Sequence, residues 1–226
     1  LVLKATQWVH KMKKTILIYG DSYTHGKVPG APKRYSREEN FVGVLEKELG
    51  DGFRIIDEGL RARTLSGENI FFPERDGLAQ FGPILGSHLP LDLICIFLGT
   101  NDCNKTGTKS DEEIYQTLLE YKNKIEEWCK NLIIEKIPKV MIIAPPIIRG
   151  DQVILDKVIS GIFDVDSEEK SKRLAPIYEK FCIENDCEFF NSAKYAKTSD
   201  GEGIHLDLEN NTSLGKALAE KIKSID

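Results

Sequence analysis

Short apolar runs alternate along the chain with longer stretches in which apolar residues recur at helical spacing. Apolar runs of roughly four to eight residues that are rich in β-branched or aromatic side chains predict buried strands. These strands are expected at 15–19, 53–57, 91–98, 139–143 and 187–190. The helices are expected at about 38–49, 77–87, 111–133, 167–184 and 210–223. The repeated strand–helix–strand order predicts an α/β fold with a mostly parallel sheet covered on both faces.

The chain shows no repeat, low-complexity tract or linker that would divide it. Its 226 residues suit one α/β domain with a sizeable core. Met12 directly precedes the basic start of the first strand, so we interpret residues 1–12 as an N-terminal extension and residues 13–226 as a single domain. The stretch 145–165 follows a strand and is expected to form a lid or a wall over a site at that edge of the sheet.

Composition narrows the choice of partners. The formal net charge is -5, which argues against nucleic acid, because phosphate binding needs a basic face. No segment approaches the roughly 18 consecutive apolar residues that a membrane span needs. The five cysteines are scattered and lack Cys-x-x-Cys spacing, which favours reduced thiols in a cytoplasmic protein over disulfides or a zinc site. We therefore expect a cytoplasmic protein that acts on a small molecule, with no metal, nucleic acid or membrane partner.

Polar clusters occur where predicted strands end. Gly20-Asp21-Ser22 follows the first strand, Gly99-Thr100-Asn101-Asp102 follows the third, and Gly203-Ile204-His205 precedes the last helix. Each short string is a weak signal alone. In open parallel sheets, however, ligands bind beyond the carboxyl ends of the strands, so the clusters are expected to converge. Together they predict one active site for acyl transfer with Ser22 as the nucleophile.

A serine nucleophile needs a base, and a neutral imidazole suits that task near pH 7. The chain has four histidines. His10 lies in the expected extension and His88 at a predicted helix end, whereas His25 stands three residues beyond Ser22 and is expected to line the pocket. His205 is therefore the best candidate base by elimination as well as by context.

The base in turn needs a partner that fixes its tautomer and stabilises the imidazolium. Glu202 stands three residues before His205, and a turn at Gly203 would fold its carboxylate back onto the ring. Asp200 and Asp207 are rivals for the same role, and the sequence leaves the choice open.

The attacked carbonyl needs hydrogen-bond donors where negative charge develops. The backbone N–H of Ser22, an N–H from the loop after the second strand and the side-chain amide of Asn101 are the candidates.

Two other functions remain alternatives: a non-catalytic binding protein on the same fold, and a flavin-binding protein whose loop 21–26 cradles a phosphate. The flavin alternative leaves Asn101 and His205 without a role.

These ordered blocks resemble the SGNH (GDSL-type) hydrolases. Ser22 matches the nucleophile block, Asn101 the block with the asparagine oxyanion donor, and His205 the final block. The likeness covers nearly the whole chain after Met12. It extends to the arylesterase/acyltransferase branch through the segments 57–64, 88–94, 144–146 and 209–219.

The resemblance implies a three-layer α/β/α, flavodoxin-like fold with a mostly parallel five-stranded sheet. It implies a serine esterase that needs no metal or cofactor, cleaves small aryl or acetyl esters through an acyl-enzyme and has acyltransferase capacity. The backbone N–H of Ala62 would be the second oxyanion donor, at a position where many members carry glycine. Related acyltransferases form homo-oligomers, so self-association is expected.

Two positions depart from the family pattern. Glu202 occupies the place where the family normally has aspartate, three residues before the histidine His205. His25 stands where close relatives tend to carry a bulky aromatic side chain near the acyl pocket. The resemblance therefore implies an altered reach for the acid and an altered acyl preference.

Overall fold

The computed structural model describes residues 13–225 as a five-stranded sheet with helices on both faces. The strands are β1 (Lys14–Gly20), β2 (Phe53–Gly59), β3 (Leu93–Phe97), β4 (Lys139–Ala144) and β5 (Glu188–Asn191). Every neighbouring pair is parallel, and the strand order is β2-β1-β3-β4-β5. This is the flavodoxin-like order, so the predicted three-layer α/β/α fold is confirmed.

Within residues 13–225, eight α-helices connect and cover the strands. They are α1 (Ser22–His25), α2 (Phe41–Leu49), α3 (Gly77–His88), α4 (Asp111–Asn131), α5 (Gly150–Val153), α6 (Asp166–Lys172), α7 (Leu174–Glu184) and α8 (Leu208–Lys223). Three short 3₁₀ turns lie at Thr100–Cys103, Ile159–Gly161 and Ser192–Lys194. Of the described helices, none is long and apolar enough to cross a membrane.

Alternate residues of β1 enter two separate cores. Ile16 and Ile18 pack with α2 and α8 on one face of the sheet. Leu17 and Tyr19 pack with α3, α4 and α7 on the other face. Successive side chains of a strand point to opposite faces, so a strand covered on both sides must be apolar at every position. This explains the unbroken apolar run of β1.

The strand order reverses direction between β1 and β3, because the chain first builds outward to β2 and then returns to the other side. Such a switch point leaves a crevice beyond the carboxyl ends of the two strands. Ser22 follows β1 directly, and Asn101 lies in the 3₁₀ turn after β3. The topology therefore brings two of the predicted site residues to one crevice.

One helix differs from the sequence-based expectation. The helix predicted at 167–184 is divided at Arg173 into α6 and α7, because Pro176 has no N–H to donate to the preceding turn. The stretch 145–165 contains α5 and a 3₁₀ turn. The expected extension at 1–12 lies outside the described residues, and the five cysteines are free thiols.

Candidate active site

The turn from β1 into α1 presents Ser22 at the crevice. A Cβ on Gly20 would lie 2.1 Å from Thr24 Oγ1, so the strand can approach the helix this closely only with glycine. The carboxylate of Asp21 accepts the Tyr23 N–H at 3.0 Å and caps α1. Ser22 is thus the first residue of a helix, where backbone N–H groups have no helical acceptor.

A hydrogen-bonded line joins Ser22, His205 and Glu202. His205 Nε2 lies 3.0 Å from Ser22 Oγ, and His205 Nδ1 lies 2.6 Å from Glu202 Oε1. Glu202 Oε2 also accepts the backbone N–H of His205 at 2.9 Å. The three residues are buried, at 5%, 8% and 2% exposure respectively. This arrangement can move a proton from the serine hydroxyl to the imidazole while a carboxylate faces the other ring nitrogen.

The loop that carries His205 is held by backbone and phenol contacts. The Tyr23 hydroxyl donates to the carbonyl of Ile204 at 2.6 Å, and the Arg149 N–H donates to the carbonyl of Gly203 at 2.9 Å. The Tyr23 ring also stacks on Phe97 at the end of β3. The imidazole is therefore fixed from α1 and from the segment after β4.

The structure separates the three candidate acids. Asp200 pairs with Arg149 and has a side chain that is 79% exposed. Asp207 caps α8 by accepting the Asn210 N–H at 2.9 Å. Of the three carboxylates, Glu202 is the one in contact with the imidazole of His205.

Glu202 is held in its ionised form by its surroundings. Burial alone would raise the pKa of Glu202, but the hydrogen bonds and charge of His205 and the more distant Gly30 N–H lower it, and the net direction is downward. A carboxylate that accepts several N–H bonds favours its charged form. Glu202 is therefore available as an anion beside His205 at neutral pH.

Two further hydrogen-bond donors lie beside Ser22. Asn101 Nδ2 donates to the carbonyl of Arg63 at 3.0 Å and lies 3.3 Å from Asp21 Oδ2, which fixes the plane of the amide at the cavity wall. Ala62 also lines the cavity and has a φ of 64°. Within residues 13–225, its N–H has no hydrogen-bond acceptor. The predicted oxyanion donors therefore share one cavity with Ser22.

The cavity has a volume of about 430 Å³. One part of its wall is apolar and comes from Val158, Ile159, Ile162 and Phe163 in the segment that was expected to form a lid or wall. His25, which was expected to line the pocket, is not among the lining residues. It ends α1, and its backbone packs against Gly59 at the end of β2, because Gly59 has no side chain to keep it away.

Comparison with solved structures gives matches over 94–95% of the chain. A carbohydrate acetylesterase from Sinorhizobium meliloti is 33% identical, with a TM-score of 0.87 over 95% of this chain and 100% of that one. The aryl esterase of M. smegmatis is 32% identical, with a TM-score of 0.84 over 94% and 100%. A putative arylesterase from Agrobacterium tumefaciens is 32% identical, with a TM-score of 0.81 over 94% and 100%. No protein-family model and no curated protein matched.

The chain belongs to the SGNH (GDSL-type) hydrolases. Its structural neighbours are acetylesterases and arylesterases, so the arylesterase branch fits. In this SGNH hydrolase the blocks recognised in the sequence lie around one cavity: Ser22 after β1, Asn101 after β3 and His205 before α8.

Sequence reasoning missed a buried polar group beneath this SGNH hydrolase site. Arg63 is 3% exposed and its guanidinium carbon lies 4.1 Å from the Tyr19 ring centroid, while Nη1 donates to the carbonyl of Gly20 at 2.9 Å. Burial raises the pKa of the neighbouring Asp21 to about 7, against the Tyr23 N–H and the charge of Arg63. An arginine in a loop is normally read as surface, so no local signal marks this residue.

The titratable side chains of residues 13–225 contain no group of three or more His, Cys, Asp or Glu residues that could hold a metal. The groups that surround Ser22 are instead an imidazole, a carboxylate and hydrogen-bond donors. The arrangement therefore suits acid–base and nucleophilic chemistry carried by side chains.

Proposed function

We propose that the protein is a serine esterase that hydrolyses small acyl esters through an acyl-enzyme. The observation that carries the proposal is the line from Ser22 Oγ through the His205 ring to Glu202, with contacts of 3.0 and 2.6 Å at the wall of an open cavity. The esterases among the solved relatives support the same reaction class.

In the proposed first step, Ser22 Oγ attacks the ester carbonyl while its proton passes to His205 Nε2. Glu202 stabilises the imidazolium through His205 Nδ1. The carbonyl oxygen becomes an oxyanion and accepts hydrogen bonds from the N–H groups of Ser22 and Ala62. Asn101 Nδ2 contributes the third by releasing its longer contact of 3.3 Å to Asp21 Oδ2 while keeping the one to Arg63. When the C–O bond to the alcohol breaks, His205 returns the proton to the leaving alkoxide and the acyl group remains on Ser22.

In the second step, His205 takes a proton from water as the water oxygen attacks the acyl-enzyme. The same donors stabilise the second tetrahedral oxyanion, and collapse releases the carboxylic acid as the proton returns to Ser22 Oγ. An alcohol in place of water gives acyl transfer by the same steps. Acyltransferase activity is part of the proposal and requires only that an alcohol compete with water for the acyl-enzyme.

The cavity limits the size of the substrate. A volume of about 430 Å³ lies in the lower part of the range of roughly 300–1,000 Å³ that is usual for small-molecule sites. The apolar part of the wall, which Val158, Ile159, Ile162 and Phe163 form, suits a short acyl chain or an aryl ring. We infer that acetyl and aryl esters are preferred over long-chain esters, in keeping with the acetylesterase and aryl esterase relatives.

The test is hydrolysis of p-nitrophenyl acetate by the wild type and by Ser22→Ala. We expect hydrolysis to fall to background in Ser22→Ala, because the nucleophilic hydroxyl is removed. The melting temperature should be retained, because the hydrogen bond that the hydroxyl makes is the one to His205, within the site. An organophosphonate should add its mass to Ser22 in the wild type. Turnover of Ser22→Ala near the wild-type rate would remove the serine mechanism, and failure of the label to react would favour the non-catalytic binding protein.

A further inference from the structure

Three basic side chains line the cavity that contains Ser22. They are Lys27 after α1, Arg61 after β2 and Arg75 before α3. Among residues 13–225, the charged group of each lies more than 4.0 Å from any carboxylate, although the backbone N–H of Arg75 contacts Glu68 at 3.4 Å. The cavity therefore concentrates cations that the protein itself leaves without an ion-pair partner.

This local charge is opposite to that of the whole chain, which has 36 acidic and 31 basic residues. Four arginines elsewhere form ion pairs, among them Arg37, which contacts Asp57 at 2.7 Å, and Arg173, which contacts Asp111. A surplus of acidic side chains would readily supply partners, so cations grouped without them at a cavity point to an external anion.

The carboxylates of the cavity are already engaged. Glu202 is bonded to His205. Asp156 Oδ1 accepts the N–H groups of Val158 and Ile159 at 2.8 and 3.0 Å and so holds the apolar wall. Neither carboxylate lies within ion-pair distance of the three cations. The three cations outnumber these two carboxylates, so the lining of the cavity keeps a surplus of positive charge.

Hydrogen bonds to backbone carbonyls orient two of the cations and leave donors free. Lys27 Nζ donates to the carbonyls of Val28 and Ala31, and Arg75 Nε donates to the carbonyl of Arg61 at 2.9 Å. Arg75 Nη1 bonds two further carbonyls, so Nη2 keeps its protons for a ligand. Burial lowers the pKa of Lys27, and the charge of Arg61 lowers it further against the opposing effect of Glu202.

We propose that the substrate is an ester that also carries a negatively charged group, bound by Arg61, Arg75 and Lys27 while Ser22 attacks the ester carbonyl. The inference rests on the esterase function proposed above and names its substrate class. Arginine suits this role because its planar fork binds carboxylate and other oxyanions with paired hydrogen bonds. The apolar wall at 158–163 holds the uncharged part of the ester.

Two matched ester pairs test the inference and locate the charge. The first pair, 4-acetoxybenzoate and methyl 4-acetoxybenzoate, places the charge on the alcohol half. The second pair, the p-nitrophenyl monoester of succinic acid and p-nitrophenyl butyrate, places it on the acyl half. Each rate is divided by the rate of hydroxide hydrolysis of the same ester. We expect kcat/KM to favour the anionic member of at least one pair by about tenfold, which corresponds to about 1.4 kcal/mol.

The variants Arg61→Gln and Arg75→Gln should each bring that ratio towards one, and 0.5 M NaCl should reduce it in the wild type. Arg54→Gln is the matched control. It removes the same charge from an exposed position on β2 that does not line the cavity, so its ratio should equal that of the wild type. A wild-type ratio of one or less for both pairs, or an equal loss in Arg54→Gln, would overturn the inference.

Failure of this inference is distinguishable from failure of the proposed function. Hydrolysis of the neutral esters with no preference for the charged ones leaves the esterase in place and removes the anionic substrate. If no ester is cleaved, calorimetric titration of the protein with benzoate and with benzamide decides the matter. Benzoate should bind at least tenfold more tightly, and equal binding would overturn the anion site whether or not the protein is an esterase.

Discussion

Replacement of Glu202 by glutamine changes one charge at the site and almost nothing in size. Glu202 is 2% exposed and contacts the His205 ring at 2.6 Å and the His205 backbone N–H at 2.9 Å. Glutamine has one acceptor oxygen, so it can satisfy one of these two donors and must turn its own NH₂ group towards the other. The variant therefore loses the anion and one hydrogen bond.

The kinetic effect follows from the imidazolium that forms as Ser22 loses its proton. His205 Nδ1 and Glu202 Oε1 are in contact at 2.6 Å. Taking a separation of about 4 Å for the delocalised charges, two unit charges attract by about 4 kcal/mol at an effective dielectric constant of about 20. Since each 1.4 kcal/mol changes a rate about tenfold, we expect kcat to fall about a thousandfold. The unsatisfied donor should also lower the free energy of unfolding by about 1–3 kcal/mol.

The assay is kcat for p-nitrophenyl acetate, with urea unfolding of each variant to separate catalysis from stability. Asp200→Asn is the matched control, because Asp200 also precedes His205 but is exposed and bonded to Arg149. We expect this control to stay within about twofold of the wild type. Retention of more than a tenth of wild-type kcat by Glu202→Gln, or a larger loss in Asp200→Asn, would refute the assignment of the acid.

Three further predictions follow from backbone strain and burial. Ala62→Gly should keep kcat within a few-fold and raise the free energy of unfolding by up to about 1 kcal/mol, because Ala62 has a φ of 64°, which costs a Cβ-bearing residue roughly 1–2 kcal/mol; urea unfolding and esterase assays check both. Gly203→Ala should lower the free energy of unfolding by about 2–4 kcal/mol and reduce kcat, since its φ is 75° and a Cβ would lie 2.5 Å from the Arg149 carbonyl; unchanged values would contradict the turn geometry. Burial raises the pKa of Asp21 from 3.8 to about 7, so the folded state binds the Asp21 proton more tightly than the unfolded state does. The stabilisation that this proton gives the folded state is therefore lost as the pH rises from about 4 to 7. At about 1.4 kcal/mol per pH unit this amounts to at most about 4 kcal/mol, and Asp21→Asn should remove that slope from unfolding curves measured at pH 5 and pH 8.

The features that the sequence determined are those set by neighbouring residues. The central strands β1, β3 and β4 were expected because strands covered on both faces form continuous apolar runs, and this pattern needs no knowledge of their partners. The edge strands β2 and β5 were expected from shorter apolar runs. The order of the polar blocks at Ser22, Asn101 and His205 was likewise local, since each follows a strand or precedes a helix. Strand-end chemistry and helix starts can be read from a few residues.

The tertiary structure decided what depends on residues far apart in the chain. The sequence favoured Glu202 and left Asp200 and Asp207 as rivals; in the fold Glu202 contacts His205, whereas Arg149 and the start of α8 engage the other two. Hydrogen bonds and desolvation depend on which groups the fold brings within about 3 Å, and spacing along the chain does not specify that.

The same reason explains the features that sequence reasoning missed. The burial of Arg63 over Tyr19 and the cations gathered around the cavity arise from loops after β1, after β2 and before α3. His25 does not line the cavity, and its backbone packs against Gly59 at the end of β2, a contact between segments that the local sequence does not reveal. Local patterns thus determined the scaffold and the kinds of reactive groups, whereas contacts between distant segments determined which groups meet and which charges remain unpaired.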